Sequence, residues 1–400
     1  MPRKVLFVES GPGYGGSAFS LFRLVKSLDR SRYQPHAAVF YSARAFDDIS
    51  SLGVPVEVLR FCQPLFACSP RDTTALQRAR NYSSFYGNLL IDATYNGIKL
   101  ARYIRHHEID IVHLNNGIIE NLCGVFAARL AHVPCVSHVR GTGWITKVER
   151  YFIRWVSAVI TLNRFMLDHY VRVVGDNRRV HLICNGVDLD AFQNPNPQRI
   201  RQEFGIQPGT FAVGTFARLV DGKGIPEFIA TAGRVSRAAA DSQFFVVGSD
   251  SAEDGAFEAR MRELARNMGL DGRLLFTGWR DDRIDAMAAM DLVLQISTTF
   301  PEGMSLAPLE AMALGKPVIV TDIPGYEFCV DDGTTGFMVA PGDIDALTEK
   351  VLILARDRTL TERMGQAGYR KALREFDVRL TAGEVQKIYD RLLFSTRPVG

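Results

Sequence analysis

Short apolar runs alternate with longer stretches of helical spacing along the whole of this 400-residue chain. In the first half, the strand-like runs lie at residues 4–9, 35–41, 54–59, 109–114, 135–138, 158–162 and 180–184. In the second half, they lie at residues 211–216, 244–247, 274–277, 292–296 and 317–321. Buried strands that alternate with helices are typical of parallel sheets with helices on both faces. The alternation therefore predicts an α/β protein built from two doubly wound parallel sheets.

A segment rich in proline and asparagine separates the two series. It spans residues 190–209 and contains two Asn-Pro pairs. A chain of this length exceeds one ordinary core, and the net charge differs between its parts, +8 over residues 1–195 and −5 over the remainder. We therefore predict an N-terminal domain at 1–195, a second domain at 196–376 and a C-terminal helix at 377–400 that packs back toward the N-terminal domain.

Composition and residue spacing argue against several classes of protein. The six cysteines form no C-x-x-C pair, which argues against a zinc ribbon and against a disulfide framework. No apolar stretch approaches the ~20 residues of a membrane-spanning helix, and the opening apolar run is too short for a secretory signal. The charges form no run of five of one sign, as a nucleic-acid-binding arm would. We expect a cytoplasmic protein with reduced thiols and no nucleic-acid partner.

A glycine-rich loop follows the first strand-like run. Four of the six residues from 11 to 16 are glycine, and a helix begins near Ser17. Glycine permits close approach of the backbone, and a helix N-terminus favours an anion or an electron-rich hydroxyl. A dinucleotide site would also need an acidic residue after the second strand, where this chain has Tyr-Ser-Ala-Arg at 41–44. The loop therefore predicts a ligand site, but not one for a nicotinamide dinucleotide.

Two glutamates separated by seven residues, Glu302 and Glu310, flank the start of a helix near Leu306. Because a helix rises 1.5 Å per residue, Glu310 lies about one turn inside it. The free amides at the helix start, residues 304–306, would point at a phosphate. A carboxylate can accept two hydrogen bonds from a vicinal diol of a ribose or a hexose. The motif therefore predicts contacts to a phosphate and to a sugar.

Two cations, Arg218 and Lys223, lie five residues apart across a glycine turn, after an apolar strand and before a helix. Arginine can hold a diphosphate as a bidentate fork, and lysine can hold it as a point charge. We therefore predict that the pair clamps a diphosphate. We also expect both side chains to lie near the surface, so that replacing either one leaves the fold intact.

Three further motifs accompany these residues: Asn-Gly-Val-Asp at 185–188, Val-Val-Gly at 246–248 and Phe-Thr-Gly at 276–278. Together with the glutamate pair and the cation pair, they make the sequence resemble the retaining glycosyltransferases of the GT-B fold, family 4 (glycosyl transferases group 1). The resemblance spans nearly the whole chain and is strongest from 211 to 343. It implies two Rossmann-like domains that face a central cleft.

The resemblance implies an enzyme, a glycosyltransferase that moves a hexose-type sugar from a nucleoside diphosphate to a saccharide or lipid-linked acceptor. It implies front-face substitution that needs neither a metal nor a cofactor, because the two cations neutralise the departing diphosphate. Assembly of cell-surface polysaccharide or glycolipid is the expected setting. Two alternatives stay open, a nucleotide-sugar epimerase of the same fold and a non-catalytic nucleotide-sugar-binding protein.

The resemblance also implies roles for individual residues. The implied catalytic residues are His138, Glu302, Arg218 and Lys223. The implied donor-binding residues are Gly15, Gly16, Arg218, Lys223, Gly248, Gly303, Met304, Ser305, Leu306 and Glu310. The candidates for the acceptor site are Tyr14, Asn115 and Arg140. His138 would lie beside the transferred sugar as a neutral imidazole, with His113 as the alternative histidine, and no residue is expected to hold a metal.

The nucleotide base stays open between UDP, GDP and ADP, because Ser-Asp-Ser at 249–251 stands where the family has Gly-Pro. The segment 78–107 interleaves apolar residues with arginine and lysine, as helices at a membrane surface do. With the basic N-terminal half, it predicts weak peripheral contact with an anionic membrane at the inner face. The alternative is an amphipathic helix that packs on its own sheet.

Overall fold

The computed structural model describes residues 1–10, 15–40, 44–59, 75–141, 145–250, 255–298 and 302–394. The chain divides into two compact units, the first formed by Met1–Cys184 with Thr381–Gly400 and the second by Asn185–Leu380. Each unit contains one parallel β-sheet. The predicted architecture of two Rossmann-like parallel sheets is therefore confirmed.

The first unit contains a seven-stranded sheet in the order β3-β2-β1-β4-β5-β6-β7. Its strands are β1 (Arg3–Glu9), β2 (Tyr33–Val39), β3 (Val56–Val58), β4 (Ile111–Leu114), β5 (Cys135–His138), β6 (Ala158–Thr161) and β7 (Val180–Leu182). Its helices are α1 (Gly16–Lys26), α2 (Arg44–Ser51), α3 (Ala75–His106), α4 (Leu122–Ala131), α5 (Lys147–Phe152) and α6 (Arg164–Val174).

The second unit contains a six-stranded sheet in the order β10-β9-β8-β11-β12-β13. Its strands are β8 (Phe211–Phe216), β9 (Ser242–Val247), β10 (Leu274–Gly278), β11 (Leu292–Gln295), β12 (Val318–Thr321) and β13 (Gly336–Val339). Its helices are α7 (Pro197–Glu203), α8 (Ile225–Ala238), α9 (Ala256–Asn267), α10 (Arg283–Ala288), α11 (Leu306–Ala313), α12 (Ile344–Arg356) and α13 (Arg358–Glu375), and α14 (Val378–Phe394) follows.

Every strand-like run predicted from the sequence contains a strand, but β13 was not predicted. It follows a turn of glycine and threonine, and its apolar part, Phe337–Val339, is only three residues long. Its first residue, Gly336, leaves no room for a side chain, because a Cβ there would lie 2.0 Å from the carbonyl oxygen of Val318 in β12. Pairing with β12, rather than an apolar pattern of its own, therefore defines this strand.

The C-terminal helix α14 completes the core of the first unit. Val385 and Tyr389 of α14 are buried in one apolar cluster with Phe7 of β1 and Val136 of β5. At the helix end, Asp390 accepts a hydrogen bond of 2.6 Å from Arg32. The sheet of the first unit thus has one face covered by the last helix of the chain.

The boundary between the units differs from the predicted division at 195. The segment that follows Cys184 already bonds within the second unit, since the amide of Val187 donates to the carbonyl of Phe376 at 2.8 Å. The amide of Val378 in turn donates to the carbonyl of Val187 at 3.0 Å. The Asn-Pro segment therefore belongs to the second unit and does not mark the boundary.

The turn between β8 and α8 packs directly against the end of β11. Gly224 has a φ of +75°, and a Cβ on it would lie 2.0 Å from the carbonyl oxygen of Ile296. The amide of Thr298 donates to the carbonyl of Gly222 at 2.8 Å, which ties the same two segments together. Only glycine fits at position 224, both for its backbone conformation and for this contact.

Gly224→Ala tests this contact, with Gly269→Ala as the matched control. Gly269 has a similar φ of +70°, but a Cβ on it would meet no heavy atom within 4 Å. We expect Gly269→Ala to lower the free energy of unfolding by about 1–2 kcal/mol through φ alone. Gly224→Ala should lower the free energy of unfolding by about 1–3 kcal/mol more than this, because the backbone at Ile296 or at residue 224 must move to make room for the Cβ. Urea unfolding followed by circular dichroism measures both, and equal losses would contradict the packing argument.

Candidate functional site

The predicted motifs of the second unit meet at one end of its sheet. The connections between strands reverse direction between β8 and β11. Ligands of such sheets bind outside the carboxyl ends of the strands at this switch point. Arg218 and Lys223 follow β8, and Glu302 follows β11. The fold thus brings the cation pair and the first glutamate to the edge where a ligand is expected.

Lys223 and Glu302 form an ion pair in the interior of the unit. The Lys223 ammonium contacts Oε1 of Glu302, and each residue is only 8% exposed. The Ser297 hydroxyl donates to the same carboxylate oxygen at 2.8 Å. The expectation that Lys223 lies near the surface is therefore wrong. The reason is its neighbour, Gly224, whose close contact with Ile296 draws the turn into the protein.

A buried tyrosine lies behind this ion pair. The Tyr326 hydroxyl lies 3.3 Å from the Ser297 hydroxyl, and the ring has no exposed surface. Burial and the charge of Glu302 raise the pKa of Tyr326 well above its usual range, so it stays a neutral phenol. Thr321 donates to the Ser297 carbonyl at 2.6 Å. Ser297 and Tyr326 thus hold Glu302 in place. Sequence reasoning missed both residues, and only their positions after strands could have suggested this role.

The loop that begins α11 is held by the Asn-Gly-Val-Asp motif. The Asn185 side-chain amide donates to the Met304 carbonyl at 2.8 Å, and its backbone amide lies 3.3 Å from the Met304 sulfur. Ser305 is the N-cap of α11, in an extended conformation and without a side-chain capping bond. Gly303 lies in the loop before it, and Leu306 is the first residue of the helix. The amides at this helix end are therefore the groups that a bound anion could satisfy.

Glu310 lies in α11 beside a cation from another helix. Its carboxylate accepts a hydrogen bond of 3.0 Å from the guanidinium of Arg283, the first residue of α10. Glu310 is 5% exposed. Sequence reasoning missed Arg283, since the two residues lie 27 positions apart and no motif links them.

Arg218 and Gly248 follow the neighbouring strands β8 and β9 at the same sheet edge. Arg218 is exposed. Gly248 has a φ of +147°, and a Cβ on it would lie 1.9 Å from the Ala217 carbonyl oxygen. Asp250, which departs from the family pattern, accepts from the amide of Phe257 at 2.9 Å and so caps the start of α9.

The first unit has its own polar cluster at the switch point between β1 and β4. Glu9 ends β1 and is fully buried. The side-chain amides of Asn115 and Asn116 both donate to its carboxylate. Arg140 donates to Oδ1 of Asn115 at 2.8 Å. The fold thus joins the two predicted acceptor residues Asn115 and Arg140 directly, and Asn115 is held in turn by Glu9, a carboxylate whose place at the end of an apolar strand was the signal for it.

His138 ends β5 and is fully buried. Neither of its ring nitrogens has a hydrogen-bond partner among the described residues. Its ring packs edge-on against His113 at 5.5 Å between centroids, and His113 hydrogen-bonds to the Tyr389 hydroxyl at 2.7 Å. Burial, with Arg140 nearby, lowers the pKa of His113 to about 3 and that of His138 well below its usual range. Both imidazoles are therefore neutral at physiological pH.

The remaining predicted residues of the first unit lie at its glycine loop. Gly15 has a φ of +122°, and Gly16 begins α1. Tyr14 lies outside the described residues. Within the described ranges, no group of three or more His, Cys, Asp or Glu is placed to hold a metal ion.

Both halves of the chain match known protein families. Residues 14–191 match the family model of Glycosyltransferase Family 4, and residues 196–371 match that of Glycosyl transferases group 1. The chain is 30% identical over 285 residues to the UDP-Gal:alpha-D-GlcNAc-diphosphoundecaprenol alpha-1,3-galactosyltransferase of Escherichia coli, covering 66% of this chain and 70% of the relative. It is 28% identical over 260 residues to the lipopolysaccharide core biosynthesis mannosyltransferase LpsB of Rhizobium meliloti, covering 64% of this chain and 71% of that protein.

Two solved structures share the fold at low sequence identity. A glycosyltransferase from Rickettsia africae superposes with a TM-score of 0.81 at 18% identity, covering 98% of this chain and 99% of that one. HepE from Anabaena, solved in complex with UDP and glucose, superposes with a TM-score of 0.79 at 22% identity, covering 98% of this chain and 100% of that one.

The ion pair predicts an effect on stability. Lys223→Met leaves the Glu302 carboxylate buried without its cation, so the free energy of unfolding should fall by about 3–5 kcal/mol. Adding Glu302→Gln removes the uncompensated charge and should recover part of that loss. Lys350→Met, which breaks a surface pair with Glu349, should cost about 1 kcal/mol or less. Urea unfolding measures the series, and a loss for Lys223→Met no larger than for Lys350→Met would contradict the buried pair.

Proposed function

Because the chain belongs to the glycosyltransferases of group 1, with the GT-B fold, we propose that it transfers a hexose-type sugar from a nucleoside diphosphate to a saccharide or lipid-linked acceptor, with retention of anomeric configuration. One observation carries the donor side of this proposal. Lys223, Glu302 and the start of α11 lie together at the switch point of the second sheet. These are residues for which the family resemblance implies donor contacts.

The donor diphosphate is proposed to bind between cations and helix amides. The Lys223 ammonium has three N–H donors, so it can hold Glu302 and a phosphate oxygen at once. Arg218, in the same segment after β8, is exposed and can supply a bidentate contact. The amides of residues 304–306 add the positive end of α11. Glu302 would bind hydroxyls of the transferred sugar, and Glu310 would bind the ribose.

The proposed reaction is a front-face substitution. The bond from the anomeric carbon to the leaving phosphate oxygen breaks while the acceptor oxygen bonds to that carbon on the same face. The acceptor proton passes to an oxygen of the departing phosphate. The protein's part is to position the reactants and to stabilise the charge that develops on the diphosphate. We propose that Arg218 and Lys223 supply this charge stabilisation without a metal ion.

The polar cluster of the first unit supports contacts to the sugar and the acceptor. Hydroxyl groups can both donate to and accept from a neutral imidazole, which is the form of His138. Arg140 offers guanidinium donors beside it and is held by Asn115, whose side-chain amide donates to Glu9 and to the Ser17 carbonyl. We propose that His138 contacts the transferred sugar and that Asn115 and Arg140 contact the acceptor.

The relatives suggest the setting of this activity. The name of the Escherichia coli relative describes a diphosphoundecaprenol-linked acceptor, and that of the Rhizobium meliloti relative describes lipopolysaccharide core biosynthesis. We propose that this chain also acts in cell-surface glycan assembly, on a soluble or lipid-linked saccharide. UDP is the first nucleotide to test, ahead of GDP and ADP, since HepE was solved with UDP.

A strip of side chains on the first unit suits weak contact with a membrane surface. Tyr95 and Ile98 of α3 are 60% and 46% exposed, and Leu130 at the end of α4 is 42% exposed. Arg102 and Arg105 follow on the same face of α3, and Arg105 donates to the Leu130 carbonyl. Among the described residues, no helix is both long and apolar enough to cross a bilayer. We propose that this strip contacts anionic lipid reversibly.

Arg218→Ala tests the diphosphate contact. We expect kcat/KM to fall about 100- to 1,000-fold, as when a single donor to a developing oxyanion is removed. The melting temperature should not change, because Arg218 is exposed. Arg266→Ala, at an exposed arginine in the last turn of α9, should keep wild-type turnover. A wild-type rate in Arg218→Ala would contradict the proposed contact between Arg218 and the diphosphate.

The activity of the wild type should survive the addition of EDTA. Complete loss of activity in EDTA that added metal restores would contradict charge stabilisation by the two cations alone.

Co-sedimentation with lipid vesicles tests the α3 strip. The wild type should bind vesicles with anionic lipid at low salt and be released at ~0.5 M salt, where the Debye length shortens to a few ångströms. Arg102→Ala should lower the partition coefficient about fivefold, since each basic residue contributes about 1 kcal/mol. Arg363→Ala, at an exposed arginine of α13, is the control. Equal recovery in the supernatant under every condition would reject the contact.

A further inference from the structure

The Glu310 carboxylate depends on a residue outside its own helix for its orientation. Arg283 donates from Nη2 to Oε1 of Glu310 at 3.0 Å. The Glu310 side chain is 6% exposed and the Arg283 side chain 25% exposed. A carboxylate at such depth is stable as an anion only when a cation or several donors compensate it. Arg283 therefore supplies a compensating charge and a directional hydrogen bond to this carboxylate.

The start of α10, from which Arg283 extends, is itself held by ion pairs. Arg280 donates to both oxygens of Asp282, at 2.7 and 2.8 Å, and to both oxygens of Glu203, at 2.6 and 2.9 Å. Arg199 of α7 donates to Asp282 at 2.5 Å. These hydrogen bonds, that of Arg280 foremost, lower the pKa of Asp282 to about 2, so the network stays charged at physiological pH. Arg283 thus extends from a rigid point of the second unit.

The geometry allows Glu310 to hold Arg283 and a ligand at the same time. An ionised carboxylate offers about four lone-pair positions on two oxygens. A guanidinium hydrogen bond to Oε1 sets the plane of the group and therefore the directions that remain for a diol. It also offsets a negative charge that would otherwise repel a diphosphate bound at the same sheet edge.

We propose that Arg283 is a positioning residue that orients Glu310 toward the ribose of the donor, so that the pair selects ribonucleotides over 2′-deoxyribonucleotides. The inference rests on the proposed function, since it takes Glu310 to contact the ribose. A charge-assisted hydrogen bond to the 2′-hydroxyl forms only if the carboxylate has the right direction. Selectivity for the ribose, rather than affinity alone, is therefore the property that Arg283 controls.

Titration calorimetry of the 400-residue chain with UDP and with 2′-deoxy-UDP measures this selectivity. If UDP does not bind, GDP is compared with 2′-deoxy-GDP, and ADP with 2′-deoxy-ADP. The wild type should bind the ribonucleotide roughly 10- to 100-fold more tightly, the range for a hydrogen bond to a charged group. In Arg283→Met this ratio should fall to about threefold or less, and Arg283→Lys should recover part of it, because lysine restores the charge without the planar fork.

Two controls separate the possible results. Arg266→Met, which removes an exposed arginine of α9, should keep the wild-type ratio. Glu310→Gln should lose the ratio as Arg283→Met does. Where Arg283→Met does not fold, Arg283→Gln replaces it, since a polar neutral side chain suits a partly exposed position.

The outcomes distinguish this inference from the function on which it rests. If Glu310→Gln keeps the wild-type ratio, the ribose contact of Glu310 is wrong and the proposed donor site fails. If Glu310→Gln loses the ratio while Arg283→Met or Arg283→Gln keeps it, the donor site stands and the positioning role is overturned. Equal weakening of both nucleotides in the Arg283 variants, with the ratio kept, also overturns it, because Arg283 would then act only through its charge.

Discussion

The buried ion pair of Lys223 and Glu302 is the contact on which the rest of the second unit's site depends. Removing two charges from water is expensive, and their attraction compensates only when the geometry is good and the other polar atoms are satisfied. The fold meets both conditions. Gly224 brings the lysine turn against β11, and Ser297 adds a hydrogen bond to the carboxylate. Residues that carry no charge therefore decide where the charges of the site lie.

The two units place different chemistry at the same topological position. In the second unit, the switch point holds ionised groups in pairs, Lys223 with Glu302 and Arg283 with Glu310. In the first unit, the buried carboxylate of Glu9 accepts from amides, the Arg140 guanidinium lies nearby, and the neighbouring histidine pair is uncharged. Paired charges suit a phosphorylated ligand, whereas neutral donors and acceptors suit hydroxyl groups. The same sheet topology thus carries two different sets of polar side chains.

Local patterns in the sequence predicted most of the fold but only part of the site. Apolar runs located every strand except β13, which is defined by its neighbour through Gly336. The glutamate and cation motifs were visible because their members lie close together in the sequence. The contacts that hold the site residues could not be seen in the sequence, because their members are far apart in it. Arg283 and Glu310 are 27 residues apart, and His113 and Tyr389 are 276 residues apart. Burial of Lys223 likewise follows from a tertiary contact of its neighbour, which spacing does not encode.

The last helix has a consequence for the order in which the protein can be completed during its synthesis. The strands of the first unit precede the second unit in sequence, yet Val385 and Tyr389 of α14, which cover one face of the first sheet, are made only after the second unit. The second unit lies between and can close its own core earlier. At 5–20 residues per second, the ribosome needs about 10–40 s to traverse the intervening ~200 residues. For that time the nascent first sheet exposes the apolar face of Phe7 and Val136, so the first unit matures after the second although its strands are translated before it.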